Sequence, residues 1–211
     1  MGEAMTRLRS SSYGAAGPRT RPSRYGAVLA ALLAGLVLPS VALAHRLDEY
    51  LQATLVAIEP GSIRLHIHLT PGVAVAGQVL ALADRNHDGM ISAEEAAAYA
   101  ELLQHDLRVR LDRQRVQLRL AASDFPEPAE LRTGSGVARI EFALKLSPLT
   151  AGSHTLAIEN RHLPAISVYL LNAALPKSRA IRVTSQKRND NQSVGAIEFT
   201  VQPEAKSDAR N

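Results

Sequence analysis

From Glu49 to Gln202, apolar residues recur at every second place in short runs broken by turn residues, and this constrains the fold more than any other feature. Such a run has one dry face and one wet face, as a half-buried strand does. In "SIRLHIHLT" (62–70), Ile63, Leu65, Ile67 and Leu69 take one face, and Arg64, His66 and His68 the other. "EYLQATLVAIE" (49–59) precedes it across the turn "EPGS", so the two should form a hairpin. Further runs lie at 107–112, 114–123, 136–147, 152–160, 165–173, 179–186 and 195–202. "RVRLDRQRVQLRL" is locally basic, but its arginines alternate with apolar residues and read as the wet side of strands.

Eight or nine short strands joined by turns predict a mainly β fold, a β-sandwich of antiparallel sheets of the Ig-like kind. One segment, 71–105, breaks the period. Thr70-Pro71 reads as a helix start, with a hydroxyl N-cap and proline at the first helical place. "GVAVAGQVLALA" then offers Val75, Val79, Leu80 and Leu82 for burial, and "SAEEAAAYAELLQHDL" reads as a second helix. "FPEPAE" reads as a proline-rich loop. The expected organisation is a sandwich domain over 45–202, a helix-loop-helix insert at 71–105, and a disordered polar tail at 203–211.

Between the two helices stands "DRNHDGMISAEE", residues 84–95. It fills the EF-hand pattern D-x-[DN]-x-[DN]-G-x5-E with Asp84, Asn86, Asp88, Gly89 and Glu95. Calcium is a hard cation that takes about six to eight oxygens. Asp84, Asn86 and Asp88 would each supply a side-chain oxygen, Met90 its carbonyl, Ser92 a water-mediated contact, and Glu95 both carboxylate oxygens. Gly89 permits the sharp turn, and Ile91 would tie the loop to the core or to a partner strand. Ser92 and Glu95 also spell a capping box for the second helix. That local role accounts for those two residues but not for oxygens at alternating places before a glycine. A single loop of this kind fits the weak extracellular class of site, with Kd on the order of 10⁻⁴–10⁻³ M.

The first 44 residues read as a secretory signal peptide: a basic stretch, the uncharged run "YGAVLAALLAGLVLPSVALA", and small residues Ala42 and Ala44 at an A-x-A cleavage site. The run is also about long enough to serve as an uncleaved anchor. Export to the periplasm or beyond is the expectation. Residues 1–44 hold five of the 24 Lys+Arg and one of the 20 Asp+Glu, which leaves nineteen of each in 45–211. The mature chain is therefore neutral, and no basic surface predicts nucleic acid. Its 167 residues suffice for one domain that buries about 70% of its unfolded surface. The absence of cysteine excludes disulfides, thiolate metal sites and a cysteine nucleophile.

Cleavage after Ala44 would expose His45 as the N-terminal residue, whose amine and imidazole can chelate copper or nickel. His66 and His68 lie two apart on one strand face and could join it in a transition-metal site. The sequence carries neither G-x-S-x-G nor H-E-x-x-H nor a phosphate-binding glycine loop, so a non-enzymatic role is expected. The apolar "LPAISVYLLNA" would be the contact of an interaction module for a membrane or envelope partner, if exposed.

The strings "AHRLDEYLQATLVAIEP", "LTPGVAV", "DRNHDG" and "NRHLPAISVYLLNA" resemble the extracytoplasmic N-terminal regions of bacterial exported proteins. In some homologues these are joined to a nickel-transporter-like membrane domain of the HupE/UreJ kind. The resemblance runs through most of 44–202 and implies an extracytoplasmic domain. The 211 residues depart from that pattern in carrying no multi-pass segment of the transporter kind, which puts the transport role in doubt.

Overall fold

The computed structural model describes residues 48–147 and 149–203. Residues 1–44, where the signal peptide is expected, His45 and the tail from 204 onward lie outside them. The fold is mainly β. In chain order the strands are β1 (Tyr50–Glu59), β2 (Ser62–Pro71), β3 (Leu107–Leu111), β4 (Gln114–Arg115), β5 (Gln117–Asp124), β6 (Ala138–Lys145), β7 (Gly152–Asn160), β8 (Ser167–Ala173), β9 (Ile181–Arg188) and β10 (Val194–Val201). The helices are α1 (Ala76–Ala83), α2 (Ala93–Asp106) and α3 (Pro128–Arg132). They build two five-stranded sheets, ordered β5-β6-β2-β1-β8 and β4-β3-β7-β10-β9.

The alternation is what closes the sheets on each other. Val56, Ile58, Ile63, Leu65 and Ile67 of the first sheet share one buried cluster with Leu156, Ile158, Ile197 and Phe199 of the second. Burying a side chain of this size contributes roughly 1.5–3 kcal/mol, so this layer is the main source of cohesion in a chain without cysteine. The architecture is sandwich-like. It is not purely antiparallel: β8 lies parallel to β1, with Tyr50 facing Ser167 and Val56 facing Ala173. The cause is connectivity. β7 belongs to the second sheet, and the chain crosses at 161–166 to enter the first sheet running the same way as β1.

Four local expectations are corrected. Thr70 and Pro71 do not start a helix; they end β2, opposite Leu51 and Tyr50. Proline is tolerated at a strand end, where no further ladder bond is needed from its nitrogen. The first helix instead begins after a turn in which Val75 and Ala76 donate to the Gly72 carbonyl. Val75, Val79 and Leu80 are buried as expected, but Leu82 is at the surface. The segment 114–123 is not one strand: β4 pairs in the second sheet, β5 in the first, and Val116 carries the crossing. "FPEPAE" is no plain loop either. Pro128 takes the first position of α3, where its missing N–H costs nothing, and Leu131 is fully buried.

The helical insert therefore has a definite place. Residues 72–106 join β2 in one sheet to β3 in the other. α2 packs along β5, and Gln104 donates to the Leu118 carbonyl. None of the described helices is long and apolar enough to cross a membrane.

Candidate functional site

The polar loop 84–92 is shaped by its own side chains. Asp84 closes α1, its N–H reaching the Leu80 carbonyl at 2.8 Å. His87 (φ 60°) and Gly89 (φ 83°) both take left-handed backbone, so the chain reverses twice within three residues. Asn86 Oδ1 accepts from the Asp88 amide at 2.9 Å, Asp88 Oδ1 from the Met90 amide at 2.9 Å, and Asp84 Oδ2 from the Gly89 amide at 3.1 Å. A side chain at position 89 would strain this turn although nothing crowds the space.

Glu95 reaches back over the loop. Its Oε1 accepts from the amides of Arg85 (2.9 Å) and Asn86 (3.2 Å), and its Oε2 from the amide and hydroxyl of Ser92 (both 3.0 Å). Ser92 Oγ in turn accepts from the Glu95 amide, so the capping box is present. These donors, the Ser92 amide first and then that of Asn86, hold the carboxyl below its ordinary pKa against the opposing effect of burial. Glu95 is thus both a helix cap and the clasp between the two ends of the loop.

One atom is left over. Asp84 is 7% exposed, and its Oδ1 is buried with no hydrogen-bond partner. A buried carboxylate oxygen without a donor costs a few kcal/mol. Of the other positions expected to hold calcium, Asn86 and Asp88 are exposed and joined to each other through Asn86 Nδ2 (3.0 Å to Asp88 Oδ2), and Met90 is 63% exposed. Ile91 is half-buried against the core, as expected. Among the described residues, no three His, Asp or Glu side chains stand close enough to hold a metal by themselves.

The histidines fall into different settings. His66 and His68 do share the outer face of β2. His66 Nδ1 lies 3.4 Å from Glu141, which also pairs with Arg64, while His68 stands opposite Arg139 in the ladder. With His45 outside the described residues, the structure adds nothing to the copper or nickel reading. The segment "LPAISVYLLNA" contributes Tyr169 and Leu171 to the interior. The free edge of β8 is covered by side chains: Gln192 and Gln186 accept from the amides of Leu171 and Ala173, and Arg188 donates to the Leu171 carbonyl.

A second polar group, which no motif announced, is a largely buried chain of side chains at the other end of α2. Tyr50 OH meets Tyr99 OH at 2.8 Å, Tyr99 OH meets His162 Nε2 at 2.9 Å, and His162 Nδ1 meets Asp106 Oδ2 at 2.8 Å. His162 is fully buried. Burial, opposed by Asp106, lowers its pKa, so it is neutral with the proton on Nδ1 and accepts from Tyr99 at Nε2. The hydroxyls then have one consistent direction: Tyr50 donates to Tyr99, which donates to His162. The His162 carbonyl takes Gln52 Nε2 (2.8 Å), Ser167 Oγ (3.1 Å) and Tyr169 OH (3.0 Å), and Asn160 Nδ2 donates to Gln52 Oε1. Strands β1, β7 and β8 and helix α2 are joined at this point. Tyr50, Tyr99 and His162 lie in the interior, while the Asp106 side chain is 30% exposed.

No family model matches this sequence, and neither a curated protein nor a solved structure matches it.

Proposed function

We propose that the chain is an exported, non-enzymatic calcium-binding protein in which an EF-hand-type helix-loop-helix is set between the two sheets of a sandwich. The observation that carries this reading is the orphaned Asp84 Oδ1, a buried carboxylate oxygen at the head of a sequence run of oxygen-bearing residues. A hard cation satisfies such an atom where no protein donor does. Asp84, Asn86, Asp88, the Met90 carbonyl, Ser92 through water and Glu95 are the residues that would hold it, and all their donor atoms are oxygen. Calcium would supply positive charge to three carboxylates and fix α1 against α2. The basic and apolar character of residues 1–44, ending in the A-L-A site, supports export. The ion's role in this reading is structural: its removal loosens the insert before the sheets.

The test is a calorimetric calcium titration of the purified protein after chelator treatment. One calcium should bind with Kd in the micromolar to millimolar range. Glu95→Gln keeps an amide-accepting oxygen but removes the charge, and should weaken binding about tenfold or more. If Glu95→Gln binds calcium as the parent does, or if the parent gives neither heat nor thermal stabilisation at millimolar calcium, the loop is only a capped turn.

A further inference from the structure

We propose that the cleft between α2 and the β3–β4 hairpin is a binding site for an oxyanion of the phosphate class. Arg110 and Arg115 face each other directly across the two antiparallel strands. Residues so paired project to the same side, and like charges there destabilise the pair. Arg108, two places before Arg110, joins them on the exposed face, while Val109 between the two and Leu107 before them are buried. Three guanidiniums thus converge on one concave surface of about 730 Å³, walled on the other side by Glu101, Gln104 and His105 of α2.

The charges in this cleft are not internally balanced. Arg108 approaches Glu159 at 3.8 Å. Among the described residues, Arg110 and Arg115 have no acidic partner within 4.0 Å. Glu101 is the one acid in the lining, and with Glu159 beside Arg108 it leaves three guanidiniums against two carboxylates, an excess of positive charge centred on Arg110 and Arg115. An oxyanion fits that excess, and guanidinium forks are the side chains best matched to phosphate oxygens. The excess is local, since residues 45–211 as a whole are neutral.

The hairpin is also held in a costly shape. Asp112 (φ 50°) and Arg113 (φ 71°) at its tip are both left-handed, which is unfavourable for a bulky side chain such as arginine. Asp112 anchors the tip to β7: its carboxylate accepts from the Thr155 amide (2.9 Å) and binds His154 Nδ1 (2.7 Å). A strained turn, fastened from outside, keeps two repelling arginines opposite one another. An anion between them turns that repulsion into attraction.

The experiment measures thermal stabilisation and calorimetric binding with inorganic phosphate at low salt, and flotation with phosphatidylglycerol or phosphatidylcholine vesicles. The parent and Arg182→Gln, an exposed control on β9, should bind alike, and added salt should weaken binding in both. In Arg110→Gln/Arg115→Gln, affinity should fall by at least about tenfold per guanidinium removed. Its melting temperature without anion should stay level or rise, since a like-charge pair is gone. Stabilisation by phosphate without flotation assigns a small soluble anion. Flotation with phosphatidylglycerol alone, lost in the double variant, assigns a lipid headgroup. Neither phosphate nor vesicle binding, or equal binding by the double variant, overturns the proposal.

Discussion

The two ends of α2 are polar in opposite ways. At its N-terminus, Ser92 and Glu95 deal with neighbours no more than ten positions away, in a loop mostly open to water. At its C-terminal half, Tyr99 and Asp106 deal with Tyr50 and His162, which stand 49, 63 and 56 positions away across these contacts, in a place where all but Asp106 is closed to water. The first set tolerates solvent as a substitute partner. The second does not, because a broken member leaves its neighbours unsatisfied in the interior. Equal numbers of hydrogen bonds therefore carry unequal stability.

The sharpest way to break this contrast is to remove the centre of the buried chain. His162→Ala should cost about 3–5 kcal/mol through the cavity and the stranded Tyr99 and Asp106 groups, measured by urea unfolding. Tyr99→Phe should cost less, about 1–3 kcal/mol, since only the hydroxyl is lost. At the open end, Ser92→Ala should cost about 1 kcal/mol as an ordinary cap loss. If Ser92→Ala proves as damaging as His162→Ala, the contrast between the two ends is false.

Acid sharpens the same contrast. The folded His162 pKa lies below the unfolded value, so its contribution is complete above about pH 6.5 and is lost as pH falls through the folded pKa. His154 has the reverse sign. Burial acts to lower its pKa, but Thr150 and Asp112 accept from its two nitrogens and together raise it. Its contribution is complete below about pH 6.5 and is lost as pH rises through the raised pKa. Because Asp112 is half exposed, this second effect should be small, within about 1 kcal/mol. Stability profiles of parent, His162→Gln and His154→Gln would separate them: the first variant should flatten the acid limb, the second the alkaline limb.

What could be read in the sequence follows the same division. The loop was legible because its partners are consecutive, and the capping box sits where spacing alone places it. Most strands were legible because one face of each is dry. β1 shows where that reading stops. Leu55 is 44% exposed, while the polar Gln52 and Thr54 on the opposite face are buried with Tyr50. The register is set by Val56 and Ile58 farther along the strand, and Gln52 is accommodated by Asn160, Ser167 and the His162 carbonyl. Those partners come together only when both sheets and α2 are in place. The crossing at Val116 was hidden for a related reason: the period of two continues through it while the partner sheet changes.

The position of the insert bears on how the molecule assembles. β2 and β3 are separated by residues 72–106, and they belong to different sheets. A helix pair stabilised by near neighbours can form early, since local contacts form fast. Once formed, it replaces a long floppy tether with a compact bridge, and each halving of an effective loop lowers the closure cost by about 0.6 kcal/mol. Whatever tightens the loop at 84–95 would then quicken the meeting of the two sheets, and a chain lacking that help would linger with both inner faces open.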